Sequence, residues 1–155
     1  MNLREATAED AGLLFEWAND PATRQNAINT ESIKWEDHLM WLTQKLNSKT
    51  TKIYIALDHD KTPCGQIRFD RSNDSGVIDF YIASDFRGKN LGKKLLIEGS
   101  QKIFNCWQDI KYVEGKVKKL NFASQKSFIN AGFKELDRND YIVYIKSRSG
   151  EDENN

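Results

Sequence analysis

Arg87-Gly88-Lys89-Asn90-Leu91-Gly92 decides how the rest of the chain is read. These six residues follow a run of alternating β-formers, 77–83, and precede an apolar stripe at helical spacing, so they form a strand-to-helix loop. Backbone N–H groups at such a helix start converge and favour an anion. Gly88 and Gly92 remove side chains that would block the close approach of a pyrophosphate. Arg87, Lys89, Lys93 and Lys94 place positive charge around the same point. The segment alone fits equally a glycine-containing turn ahead of a solvated basic helix, because glycine-rich loops are weak evidence by themselves. A Walker loop is excluded, since no second Gly is followed by Lys and a hydroxyl residue. A dinucleotide fold needs a different Gly spacing.

Working outward, the stretch before the loop reads as a meander of three strands. These are 53–57, 65–70 and 77–83, joined by turn-rich segments at 58–63 and 71–76. Upstream lie a short strand at 1–6 and a helix capped by Thr7 and Asp10 and carried by Ala11, Leu14, Phe15 and Ala18. Asn19-Asp20-Pro21 stops that helix. A second helix begins near Ser32, with Trp35, Leu39, Leu42 and Leu46 as its apolar stripe. Downstream of the loop, Gly92, Leu95, Leu96, Gly99, Ile103 and Cys106 line one side of a helix. A strand at 112–117, a short helix ended by Gly132, and a hairpin of 133–136 with 141–145 follow. The expected fold is α/β (α+β), a single domain over 1–147. Its central sheet is mixed, mostly antiparallel, with helices on both faces. Residues 148–155 are expected to be a disordered acidic tail.

Composition narrows the function classes. Lys+Arg and Asp+Glu balance at 23 each, so the basic excess of a general nucleic-acid binder is absent. Two cysteines, Cys64 and Cys106, and two histidines, His38 and His59, show no metal-ligand spacing, so no metal is expected. The N-terminus lacks the apolar core of a signal peptide, and no run is long enough to span a bilayer. A soluble, cytoplasmic chain with reduced thiols and no membrane partner is the expectation. A homodimer is compatible with it.

A second motif lies downstream: Asn121-Phe122-Ala123-Ser124-Gln125-Lys126-Ser127-Phe128-Ile129-Asn130-Ala131-Gly132-Phe133. Together with the first loop it resembles the paired motifs of the GNAT N-acetyltransferase superfamily. In the first motif Arg87, Asn90 and Gly92 match, with Asn90 replacing the middle Gly; Asn is the next most tolerant residue for a left-handed backbone. The likeness covers nearly the whole chain and implies acetyl-CoA as acetyl donor. It implies a V-shaped opening between 77–83 and 112–117 that takes the acetyl-pantetheine arm, with backbone near Ile82 and Ala83 bonding its amides. The cofactor set implied is Ile82, Ala83, Arg87, Gly88, Lys89, Asn90, Leu91, Gly92, Lys93, Asn121, Lys126 and Phe128. Read without the family, Asn121 is a helix N-cap and Lys126 an ordinary solvated lysine.

Acetyl transfer needs a neutral amine, a polarised thioester carbonyl and a proton for the thiolate. The family's Tyr donor falls at Phe128, which cannot donate, so Tyr81 or water and backbone donors must serve. Asp79 is the candidate base, because an acid in an apolar strand is costly to bury unless paired; a pair with Arg68 or Lys116 is the structural alternative. Tyr81 by itself reads more readily as a packed strand aromatic than as a catalyst. For the acceptor, Lys34, His38, Trp41 and Lys45 form a cationic, aromatic helix face suited to a phosphorylated, base-bearing amine. A solvated helix with Trp41 packed and His38 structural fits the same pattern. The stretch from Phe15 through Asp20, then Arg24 and His38–Leu42, is similar to acetyltransferases of nucleotide-activated amino sugars, those of the pseudaminic acid pathway included. That likeness implies a small-molecule amine acceptor, a nucleotide sugar, contacted by Asn19, Arg24, His38 and Trp41. A ribosomal-protein N-terminus, an aminoglycoside, or a non-catalytic acyl-CoA-binding role are the alternatives.

Overall fold

A computed structural model describes residues 1–27 and 29–148. Seven strands form one sheet, ordered β1-β2-β3-β4-β5-β7-β6. They are β1 (Asn2–Glu5), β2 (Thr51–Leu57), β3 (Pro63–Ser72), β4 (Ser75–Ile82), β5 (Tyr112–Lys118), β6 (Lys134–Arg138) and β7 (Tyr141–Ser147). Every neighbouring pair is antiparallel except β4 and β5, which run parallel. The helices are α1 (Ala11–Ala18), α2 (Pro21–Asn26), α3 (Trp35–Leu46), α4 (Leu91–Cys106) and α5 (Phe122–Asn130). The mixed sheet and its two helical layers are those expected.

Strand alternation builds the two layers. On β2, Tyr54 and Ala56 point to one face, where Ile67, Phe69, Ile78 and Val113 meet Leu95, Leu96 and Ile103 of α4 and Phe128 of α5. Ile53 and Ile55 point to the other, where they meet Ala11, Leu14 and Trp17 of α1 and Leu42 of α3. Two glycines let α4 lie close. A Cβ on Gly99 would stand 2.8 Å from Ile67 Cδ1, and one on Gly92 would stand 2.5 Å from Ser127 Oγ on α5. The packing of α4 on α5 therefore favours glycine at 92 in its own right. Cys106, expected on the buried stripe of α4, is exposed.

Three local readings change. Asp20-Pro21 stops α1 but also starts α2: the Asp20 carboxylate accepts from Ala22 N at 2.9 Å, with Pro21 in the first turn. That is an N-cap followed by proline, the pattern of a helix start. On α3 the buried face is His38 and Leu42, while Trp35, Leu39 and Met40 are exposed. The apolar stripe expected there is thus rotated, because His38 gains a carbonyl partner inside. At the end of β7, Arg148 donates to the carbonyls of Phe104, Trp107 and Ile110. The rest of the expected tail, 149–155, lies outside the described residues.

Between β4 and β5 the parallel pairing runs from Ser75–Tyr112 to Ile78–Gly115 and is recorded no further. Beyond it β4 continues to Ile82 and β5 to Lys118, so the strands part. Phe128 fills the crotch on the α4–α5 side. Its ring is 2% exposed, stacked on Tyr144 at 5.0 Å and edge-on to Phe80 at 5.5 Å. A Cβ on Gly115 would run into the Phe128 Cζ, so the far end of this ring faces the β5 backbone. A hydroxyl there has neither room nor a partner. Phe128→Tyr is expected to lower unfolding free energy by about 1–3 kcal/mol in urea titrations; a variant as stable as the parent would show that the ring end is open.

Candidate functional site

The loop after β4 turns by known backbone means. Ala83 N–H donates to Cys64 O at 2.9 Å, a short 3₁₀ turn covers Ser84–Phe86, and Gly88 and Asn90 both take positive φ, +79° and +65°. Asn90 is in the left-handed region at the start of α4, as its replacement of Gly required, and its side chain makes no capping bond. The first amides of α4, at Leu91, Gly92 and Lys93, thus lack helical acceptors and mark an anion site. Leu91 and Gly92 line a groove of about 650 Å³ between this loop and α5, together with Lys89, Ser124 and Lys126. Lys126 is exposed on the groove's α5 rim. Asn121 caps α5, its Oδ1 accepting from Ser124 N at 3.3 Å.

Arg87 is not turned toward that groove alone. Its Nε donates to Ile82 O at 3.0 Å and its Nη2 to Asp20 Oδ2 at 3.2 Å, with the guanidinium 5.3 Å from the Tyr81 ring centre. The same Asp20 oxygen accepts the Tyr81 hydroxyl at 2.7 Å. Burial works against the Asp20 charge, but the bonds from Tyr81, Ala22 and Arg87 outweigh it, so this carboxyl titrates below its usual range. Burial and the Asp20 carboxylate push the Tyr81 phenol well above its usual range. Tyr81 is therefore held protonated and aimed at Asp20, which suits a positioning group better than an acid. The sequence marks Asp20 as a helix stop and as the end of the Phe15–Asp20 stretch, with no bonding role of its own; the Asp-Pro helix start was the signal that could have flagged it.

At the β4 edge, Ala83 spends its N–H on β3, and antiparallel alternation turns the N–H groups of Ile82 and Phe80 toward the parted strands. Of the two residues expected to bond a ligand arm there, Ile82 keeps its amide and Ala83 does not. The Ile82 carbonyl, in turn, is taken by Arg87.

A second cavity, about 450 Å³, opens on the α1–α3 side of β4. Trp17, Trp41 and Tyr81 wall it, and Asp79, Arg68 and Arg24 bring charge. Asp79 is more open than a buried acid, its side chain 55% exposed, and accepts from Gln66 Nε2 at 3.0 Å with Arg68 Nη1 at 3.8 Å. The burial argument for Asp79 fails, and its neighbour Arg68 is the partner named as the alternative. Arg68 also bonds Asp70 at 2.8 Å and lies 5.0 Å from the Trp41 ring.

The other acceptor residues are mostly structural in their bonds. Asn19 uses both ends of its amide on Ile33, at 3.0 and 2.7 Å. Arg24 donates to the carbonyls of Ala18, Asn29 and Glu31. His38, 3% exposed, meets Ala11 O at 3.1 Å; a carbonyl only accepts, so Nε2 carries the proton. Burial holds this imidazole below its usual pKa, against the pull of the Ala11 carbonyl. Arg24, His38 and Trp41 still line the cavity, whereas Asn19 does not. Lys45 is paired with Asp70 at 2.8 Å, and neither it nor Lys34 reaches the cavity wall. The expected cationic face is replaced there by Arg24 and Arg68.

Asp20 gives a pH-dependent prediction. Its folded pKa is depressed, so its stabilising bonds are complete above the unfolded value, about 3.9, and are lost as pH falls through the folded value. Its side chain is only 14% exposed. Asp20→Asn should cost about 1–3 kcal/mol at neutral pH, and the gap to the parent should close in acid, in urea melts at both pH values. An equal gap at every pH would contradict the charged role.

A sequence profile for the acetyltransferase (GNAT) domain matches residues 1–134. A search of curated protein sequences found no match. Among solved structures, the chain is similar to a spermidine N-acetyltransferase from Vibrio cholerae in complex with CoA and spermine, at TM-score 0.86 and 14% identity, covering 96% of this chain and 95% of that one. It is similar to AAC(6')-Ib in complex with ribostamycin and coenzyme A, at TM-score 0.80 and 20% identity, covering 95% and 93%. A ribosomal-protein-alanine N-acetyltransferase from Brucella melitensis matches at TM-score 0.76 and 19% identity, covering 96% and 100%. With the profile spanning most of its length, the chain belongs to the GNAT acetyltransferase family and is an acetyl-CoA-dependent N-acetyltransferase.

Proposed function

We propose that this enzyme acetylates the primary amine of a nucleotide-linked amino sugar, the acceptor class suggested by the likeness to pseudaminic acid pathway enzymes. The observation that carries the proposal is the cavity beside the parted strands, walled by the aromatic side chains of Trp17, Trp41 and Tyr81 and bordered by the guanidinium groups of Arg24 and Arg68. A base can stack on such rings and a diphosphate can pair with such cations. In this reading the cofactor pyrophosphate rests on the amides of Leu91, Gly92 and Lys93. Lys89, Lys93 and Lys126 balance its charge, and Gly88 and Asn90 shape the turn. Asn121 fixes the start of α5 beside the arm.

The chemistry follows from the donors present. The Ile82 amide polarises the thioester carbonyl. The amine nitrogen attacks the carbonyl carbon, the C–S bond breaks, and the amine proton passes to Asp79 or to water. Neither Phe128 nor Tyr81 is placed to protonate the sulfur, so the thiolate takes its proton from water in the open groove. Cys64 and Cys106 are free thiols, which fits a reducing compartment such as the cytoplasm. No helix among the described residues is long and apolar enough to cross a membrane.

Asp37 and Asp79 on the same cavity favour a second reading, a small cationic amine. Spermine and ribostamycin, bound by the structural neighbours, are of that kind. Thiol release from acetyl-CoA separates the readings when tested on UDP-linked amino sugars, the free sugars, spermidine, an aminoglycoside and an N-terminal alanine peptide. The proposal predicts faster turnover of the UDP-linked sugar than of the free sugar, an advantage that salt weakens. Turnover of spermidine or the aminoglycoside alone would replace it with the second reading, and thiol release with none of them would leave a binding module.

A further inference from the structure

The face of the sheet that carries the acceptor cavity continues across the parted strands. Strand register places Asp79 and Tyr81 of β4 on the same side as Arg68 and Gln66 of β3. Alternation along β5 puts Lys116 and Lys118 on that side too, opposite Val143 and Tyr141 of β7. A cleft of about 420 Å³ lies between them, bordered by Arg24, Arg87, Lys116, Lys118 and Tyr141.

The charge there is unbalanced. Arg87 is neutralised by Asp20. Lys116 is exposed, and its ammonium has the Tyr141 ring, 3.9 Å from its centre, for a neighbour. Lys118 donates to Ala27 O at 2.6 Å, and Arg24 to backbone carbonyls, so neither meets a carboxylate. The acid across the cleft, Asp79, is engaged by Gln66 and Arg68. Glu114, two residues before Lys116 on the same strand face, makes no ion pair with it among the described residues. The pantetheine arm of acetyl-CoA is uncharged, and in the reading proposed above its phosphates rest on the α4 amides beside Lys89, Lys93 and Lys126, at a groove that meets this cleft at Phe80, Arg87, Ala123 and Ser124. The donor therefore explains none of the three cations at the cleft.

We infer that Arg24, Lys116 and Lys118 form an anion subsite for a phosphate group of the acceptor, set beside the thioester so that the amine is held by the negative end of its own molecule. Three unpaired cations suit a di-anionic or tri-anionic phosphate group better than a single carboxylate. The inference deepens the nucleotide-sugar reading and rests on it for the amine. The anion subsite itself rests only on the cleft.

Inorganic pyrophosphate, titrated calorimetrically into protein saturated with acetyl-CoA, tests it, because the cofactor then blocks the α4 cradle. Binding is expected in the parent and should weaken on the order of tenfold in Lys116→Gln, and further in Lys116→Glu, with acetyl-CoA affinity unchanged. Rising salt should weaken it as well. Pyrophosphate that binds only when acetyl-CoA is absent, or binds Lys116→Gln as tightly as the parent, overturns the subsite. Lysine-dependent binding together with no acetylation of any UDP-linked amino sugar supports the subsite and overturns the nucleotide reading.

Discussion

The early end of pairing between β4 and β5 is the constraint on which the other features depend. Two parallel strands that stop bonding at Ile78 and Gly115 leave backbone amides of Phe80 and Ile82 without a sheet partner. Buried amides in that state carry a cost unless something bonds them. The fold maintains the parting with Phe128, whose ring stands where a side chain on Gly115 would be and braces Phe80 and Tyr144. Residue 128 thereby serves as a packing wedge, and its position in the chain is no guide to a proton donor.

Each side of the parting is built from different material. On one side, backbone conformation does the work: a left-handed Asn90, a Gly88 free to take positive φ, and helix amides without acceptors. On the other, side chains do it, with aromatic walls from α1, α3 and β4 and paired charges between them. Asp20 joins the two. One carboxylate starts α2, holds the Tyr81 hydroxyl and anchors Arg87, so α2, β4 and the loop that follows β4 meet at a single group.

Much of this was legible in the residues because it depends on local rules. Strand alternation in 77–83, the Thr7–Asp10 box, Asn121 as a cap and the helix after the loop all follow from neighbours in sequence. What escaped was decided by distant partners. Asn19 looks like a ligand contact until its bonds to Ile33 are seen, and Arg24 lines the cavity while also tying the carbonyls of Ala18, Asn29 and Glu31. His38 reads as part of a cationic face but is turned inward by the Ala11 carbonyl, 27 residues away. Lys45 loses its role to Asp70, and Gly92 gains one from Ser127, for the same reason. The substitution of Asn90 for Gly, by contrast, obeyed a purely local tolerance and came out as read.

Amide hydrogen exchange on addition of acetyl-CoA tests the central claim most directly. If the unpaired edge of β4 receives the acetyl-pantetheine arm, exchange at Phe80 and Ile82 should slow together with that at Leu91, Gly92 and Lys93, while Ala83, already bonded to Cys64, changes little. Slowed exchange at the α4 amides with none at Phe80 and Ile82 would show that the cofactor does not enter between the strands, and would contradict the account.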